Sequence, residues 1–409
     1  MGYPLTPITD GRTRSTLGQK PAVVAVGLIM ALVLAACADG SSTDDTTDSG
    51  TTPTDGDVSL VVLTWEGYHD AAWLDEFRAD TGIAVEAISI GSPAEMFAKV
   101  KANPEQFDLI LATSGWFDNY VDEDLIVPVD ESCVPNMSNI SDAFPWRDAT
   151  TVDGTNYGVL YAWGDQPLGW VTSEIPGDLD LGQYMNENGV LDDWNVLWDP
   201  QLEGKVTVFD DPTSVLPFIP LALGFDDPFN LSEEEFQAVE AKLDELRPQL
   251  KKLTTGFDDQ TSTLVSGEAI IGYINNPLSV VEADKAGVEL KVNHRVRQGV
   301  PAWSDNFAIT AAGASKKDAV CQFMNRNIEL DWQARYTASS GNAGVLSYEQ
   351  ATSQEAIDAG LTAEKLALTI YPETEAGAEF FEGMVFFKAV EDLDRRLEMW
   401  NEFKLGIGG

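Results

Sequence analysis

Between residues 58 and 112 the chain twice alternates a short apolar run with a capped amphipathic segment, and this order constrains the fold more than any other feature. Residues 58–64 form a near-continuous apolar run of the kind buried in a parallel sheet. Asp70 then stands where a helix N-cap belongs, Trp73, Leu74 and Phe77 share one helical face, and Gly82 terminates it. Residues 85–90 read as a second strand. Ser92-Pro93-Ala94-Glu95 combines an N-cap, a proline at the first helical position and the glutamate of a capping box, which predicts a helix to about Lys101. Residues 107–112 supply a third strand. A β-α-β-α-β order implies an open, mainly parallel sheet. Ligands of such sheets sit beyond the carboxyl ends of the strands, here at residues 64–68 and 113–116.

A second α/β segment begins after Tyr161-Ala162-Trp163-Gly164. Residues 206–209 and 269–274 read as buried strands, and Ser232 with Glu235 forms another capping box opening a charged helix. A strand returns around residues 303–310, and Ser315 to Asp318 is expected to cap a helix running through Met324. Once residues 1–57 are set aside, about 350 remain, more than a single core sustains, so two lobes are expected. The division reads as residues 58–164 and 304–345 for the first lobe and 165–303 and 346–409 for the second. No internal repeat is visible.

The N-terminal stretch says where such a chain works. Arg12, Arg14 and Lys20 precede an apolar run over residues 21–36, about the length of a signal h-region, with small residues before Cys37. The run is too short and wrongly flanked for a stable span. Leu34-Ala35-Ala36-Cys37 resembles the bacterial lipobox, which implies a signal peptide over residues 1–36, cleavage before Cys37 and a diacylglycerol on its sulfur. Two acyl chains give stable anchoring. An ordinary secretory signal with a chance cysteine is the alternative. Residues 37–57 are almost all Ser, Thr, Asp and Gly, which bury too little apolar area to repay their ordering entropy and so read as a disordered tether. The expected location is extracytoplasmic, at the face of the cell membrane.

The formal charge of −42 becomes −44 once a leader carrying Arg12, Arg14 and Lys20 against Asp10 is removed. Nucleic acid is excluded as a partner, because phosphate binding requires a basic face. The acidity reads as a solvated surface, with a lesser share in raising the local concentration of cations. With Cys37 assigned to lipid, Cys133 and Cys321 remain, a pair that in an oxidising compartment is expected to bridge within the first lobe, with two buried thiols as the other reading. The chain has 2 histidines, His69 and His294, and no CxxC or His-x-x-x-His spacing, so neither a metal nor any other cofactor is expected. There is also no glycine-rich phosphate loop, G-x-S-x-G elbow or plausible Ser/His/Asp set. These gaps favour binding over chemistry.

Several motifs, in order along the chain, then point to one family. Val61-Val62-Leu63-Thr64-Trp65-Glu66-Gly67-Tyr68, followed by Phe77 and Thr81-Gly82-Ile83-Ala84-Val85, resembles the opening of the spermidine/putrescine-binding proteins of ABC importers. Phe107-Asp108-Leu109-Ile110-Leu111-Ala112-Thr113-Ser114, Tyr161-Ala162-Trp163-Gly164, Phe209-Asp210-Asp211-Pro212, Ser266-Gly267-Glu268 and Trp303-Ser304-Asp305-Asn306-Phe307-Ala308-Ile309 continue the likeness in the family's order and spacing. The resemblance covers residues 58–409. It implies the two-lobed, type II periplasmic-binding-protein fold, a ligand cleft between lobes, and a monomeric receptor that delivers its solute to a membrane permease.

Carried over position by position, the family's ligand groups fall on Trp65, Tyr68, Ser114, Asp211, Trp303 and Asp305. A polyamine is a flexible hydrocarbon with an ammonium at each end, so its receptor needs aromatic faces along the methylenes and a carboxylate near each charge. Asp211 and Asp305 would meet those charges from different lobes. The chain also departs from the family. Gly67 replaces the acid before Tyr68, with Glu66 one position earlier; Ser214 replaces a second acid; Gly115 replaces a tyrosine, with Trp116 next; and Asn275 replaces a tryptophan. Glu66, Trp116 and Asn275 therefore join the candidate set, and fewer acids remain than a tri- or tetra-amine needs. The expected ligand is a putrescine-like polyamine or another small organic cation. Two other readings are a receptor for a betaine or amino acid derivative held by Asn275 and Ser214, and a surface hydrolase with Glu66 and Asp211 as acid and base.

Overall fold

In the computed structural model the described residues are 58–172, 179–275 and 277–407. The leader over residues 1–36, Cys37 and the tether to residue 57 lie outside them. The three apolar runs at the start of the folded chain become β1 (Ser59–Thr64), β2 (Ala84–Ser89) and β3 (Leu109–Thr113), with β1 parallel to both others. The helix Ala71–Thr81 is capped by the Asp70 side chain, which accepts from the Ala72 amide, and ends at Gly82 with φ 75°, a left-handed conformation that glycine adopts without a Cβ clash. In the next helix, Pro93–Ala102, Ser92 accepts from the Glu95 amide, but the Glu95 carboxylate accepts from Gly91 rather than Ser92, so the box is closed on one side only.

The chain continues through β4 (Ile126–Val127), the small hairpin β5 (Thr151–Val152) and β6 (Thr155–Asn156), and β7 (Val159–Asp165). Two residues later it is in β8 (Leu168–Val171) of a second sheet, which β9 (Val206–Phe209), β10 (Leu250–Thr254), β11 (Ile271–Tyr273) and β12 (Leu290–Asn293) complete. β13 (Val300–Thr310) returns to the first sheet and β14 (Met384–Phe386) closes its edge. The first sheet runs β14-β13-β3-β1-β2, with β4 and β7 also on β13; the second runs β10-β9-β11-β8-β12. Each sheet has a parallel set plus a strand arriving from the other lobe. Those arrivals, β13 and β8, run antiparallel to β3 and to β11.

Two large apolar cores lie against these sheets. The return to the first sheet begins at Val300, not at residue 304, because β13 already pairs with β14 there. Most of the segment after residue 345 also belongs with the first core, not the second as the sequence reading had it. Leu346, Ala356, Leu361, Tyr371 and Phe387 pack into that core, while the terminal helix Leu393–Lys404 supplies Met399, Trp400 and Phe403 to the second, with Val385 and Ile407 packed against it. The Ser232 capping box is reciprocal. Ser315 does not cap: the helix Lys317–Asn327 has Lys316 at its cap, and the Ser315 hydroxyl donates back to Ala312 at 2.8 Å inside the preceding 3-10 turn. Cys133 and Cys321 are joined by a disulfide with Cα atoms 5.6 Å apart, tying that helix to the turn Glu131–Cys133. Among the described residues no helix is long and apolar enough to cross a membrane.

Candidate functional site

β3 and β13 lie side by side in antiparallel register with Thr113 opposite Asp305. Cross-strand neighbours are close enough to bond, and Thr113 Oγ1 donates to Asp305 Oδ1 at 2.7 Å. Tyr68, in the turn after β1, donates its hydroxyl to Asp305 Oδ2 at 2.6 Å. The Tyr68 carbonyl in turn accepts from Tyr161 Oη at 2.8 Å, and its ring packs on Tyr161 and Tyr336. Burial pushes the Asp305 carboxyl up to about 7, although its hydrogen bonds from Tyr68 and Thr113 favour the charged form. Burial, and then the neighbouring Asp305 charge, hold the Tyr68 phenol well above its ordinary range, so it remains a donor.

Two indoles flank this carboxyl. Trp65 follows β1 directly, and Trp303 precedes Asp305 by two residues on the same face of β13. Trp303 lies opposite Gly164 of β7, and its ring fills the space of the missing side chain: a Cβ there would sit 2.7 Å from the ring. Neither indole N–H has a protein partner, an uncommon condition for a buried donor.

The second lobe supplies the facing wall. Asp211 follows β9 as the N-cap of the helix Pro212–Val215, accepting from the Thr213 and Ser214 amides at 3.1 Å and from the Ser214 hydroxyl at 2.6 Å. Burial raises its carboxyl against these bonds. Gln166, 1% exposed at the crossing from β7 to β8, donates Nε2 to Asn275 Oδ1 at 3.3 Å, while its Oε1 is buried without a partner. Phe209 and Phe257 add aromatic cover, and the exposed Glu66 reaches over from the first lobe, its Oε2 3.4 Å from where a Cβ on Gly256 would lie.

The result is a cavity of about 70 Å³ between the lobes. Of the residues singled out from sequence, Trp65, Glu66, Tyr68, Asp211, Ser214, Asn275, Trp303 and Asp305 line it. Ser114 and Trp116 do not. The Ser114 amide donates to the Ser304 carbonyl and its hydroxyl accepts from the Ser304 amide, so the side chain serves the joint between β3 and β13. Trp116 is 3% exposed and packs on Phe97 in the first core. Strand alternation explains the first case, since it is Thr113, one residue earlier, whose side chain meets Asp305. Among the described residues no group of three His, Cys, Asp or Glu side chains could hold a metal.

The model of the bacterial extracellular solute-binding protein family matches residues 72–362, more than half of the chain. The chain belongs to this family. Among its relatives, spermidine/putrescine-binding periplasmic protein 1 of Haemophilus influenzae is 24% identical over 293 residues, covering 71% of this chain and 75% of that protein. The spermidine/putrescine-binding periplasmic protein of Escherichia coli is 26% identical over 269 residues, covering 65% and 72%. A solved structure titled as a putative spermidine/putrescine ABC transporter from Listeria monocytogenes shares the fold, with TM-score 0.67, 20% identity and coverage of 85% of this chain and 99% of that one.

Gln166, Phe257 and Phe387 line the cavity of this solute-binding protein without having been singled out in the sequence, and Thr113 and Phe209 stood inside quoted motifs but not as ligand groups. Gln166 lies two residues beyond Tyr161-Ala162-Trp163-Gly164, so widening that motif by two residues would have found it. Phe387 carries no such signal. It reaches the cavity because the residue after β14 bonds its amide to the Ala302 carbonyl at 2.8 Å, a placement decided by a strand pair some eighty residues apart.

Proposed function

We propose that this chain is the receptor of an ABC importer that captures a small organic cation of the polyamine class, putrescine foremost, between its lobes and hands it to a membrane permease. The observation that carries the reading is Asp305, a buried carboxyl clamped by Tyr68 and Thr113 and flanked by Trp65 and Trp303. A carboxylate beside aromatic faces is what an alkylammonium requires, and each cation over an indole face contributes roughly 0.5–2 kcal/mol. The relatives named for spermidine and putrescine support the same class. Closure would rotate the lobes about the links between β7 and β8, between β12 and β13, and after β14.

A second reading has an observation of its own. The Asp211 carboxylate is already engaged by three donors, and Gln166 and Asn275 beside it are neutral amides. Such a wall also suits a ligand with one cationic end and one neutral or anionic end, such as a betaine or amino acid derivative. Calorimetric titration of putrescine, spermidine, a betaine and an amino acid into the protein decides between them. Saturable binding of putrescine above the others supports the polyamine reading, and preference for the zwitterions overturns it. We also assign Cys37 as the lipid anchor; Cys37→Ser is expected to release the protein from the membrane fraction, and retention there would refute the anchor.

A further inference from the structure

On the reverse face of the β7–β13 ladder the lobes enclose a second cavity, of about 200 Å³. The register explains why it is separate. Trp303 and Asp305, paired with Gly164 and Ala162, face the ligand cavity. Side chains alternate along a strand, so Trp163 and Asp165 point the other way and line the second space. Its walls are aliphatic and come from both lobes, with Pro167, Ile274, Val280 and Val292 on one side and Leu368 and Ile370 on the other. An engineered apolar cavity of about 150 Å³ is enough to hold benzene.

This cavity also has a polar end. The Asp165 side chain is 10% exposed, and its Oδ2 lies 2.8 Å from Nδ1 of His294, which follows β12 of the second lobe. Among the described residues Oδ1 has no hydrogen-bond partner. A carboxylate accepts on both oxygens and donates nothing, so this end of the cavity suits a ligand that brings a donor. Asn342, 6% exposed, also lines the cavity. The nearby Arg295 and Glu379 pair with each other at 2.7 Å and leave no free charge of their own.

We propose that this reverse-face cavity is a second binding site, for a short aliphatic primary amine whose ammonium meets Asp165 Oδ1 and whose hydrocarbon lies on the aliphatic walls. The site does not depend on what the cleft at Asp305 binds. His294 is a built-in reporter, because the other histidine, His69, is enclosed in the first core against Tyr161 and Phe323. The probe is isopentylamine, followed by the His294 ring resonances in the whole protein.

The expected result is a saturable shift of those resonances with Kd in the millimolar range, fitting a ligand of few heavy atoms. 3-Methylbutan-1-ol, of the same shape without the charge, should bind at least about tenfold more weakly. The response should persist in Asp305→Asn, which alters only the other cavity, and vanish in Val280→Trp, which fills this one. Asp165→Asn, checked for folding by its melting curve, should lose it too. No shift with the amine in the native protein, equal binding of the alcohol, or loss in Asp305→Asn with retention in Val280→Trp would each overturn the proposal.

Discussion

A carboxyl that titrates at about 7 is ionised only on the alkaline side of neutrality, and Asp305 is such a group because burial outweighs its two hydrogen bonds. A cation binds its ionised form. Affinity for an organic cation is therefore expected to rise with pH up to about 7, by as much as tenfold per unit, and to level off above it. Calorimetry across that range measures the slope, which Asp305→Asn should flatten. The ligand-free fold has the opposite dependence: a native carboxyl raised above its unfolded value holds its proton longer, so this contribution to stability is present in acid and is lost as pH rises through about 7. At pH 8, Asp305→Asn leaves a buried ammonium without its counter-charge and should cost about 3–5 kcal/mol, or several hundredfold in affinity. Trp303→Ala removes an aromatic face but unpairs no charge, and should cost less. Unchanged affinity in both variants would move the pocket elsewhere. A neutral or anionic ligand would show no loss with Asp305→Asn.

At the scale of elements, the β7–β13 ladder does most of the positioning. It brings Gly164 under Trp303 and Ala162 beside Asp305, and sends Asp165 to the reverse face. Glycine is required at residue 164 by close approach, since a Cβ would sit 2.7 Å from a rigid ring backed by the sheet. Gly164→Ala is expected to displace Trp303 and weaken ligand binding about tenfold, roughly 1.4 kcal/mol, with little change in far-ultraviolet circular dichroism. Binding within twofold of the native protein would show that the ring can move freely. Helix caps show how far local patterns carry. The Ser232 box forms in full because both partners lie within one turn, whereas Ser315 matches the same kind of pattern but is diverted to the Ala312 carbonyl by a 3-10 turn.

For the whole molecule, Cys133 and Cys321 close a loop of 188 residues, which runs out through the second lobe and back. Constraining the unfolded chain over such a span is worth about 2–5 kcal/mol. Cys133→Ser paired with Cys321→Ser should lower the urea midpoint accordingly, and two alkylatable thiols in the unreduced native protein would refute the bridge. The two-lobed architecture was legible in the sequence, because apolar runs, caps and length are local or additive properties. Trp65, Tyr68, Asp211, Trp303 and Asp305 were also named from sequence motifs, and the fold gathers them around one cavity. Lobe membership after residue 345 was not legible: the pairing of β14 with β13 and the packing of Tyr371 and Phe387 against the first core are contacts between distant segments. The same applies to Gln166 meeting Asn275 and to Asp165 meeting His294. Sequence by itself determined the order of the principal strands and helices and which residue types were at hand for a site. Only tertiary structure decided which side chains face one another across the cleft, because that depends on register and on crossings between lobes, which no local pattern encodes.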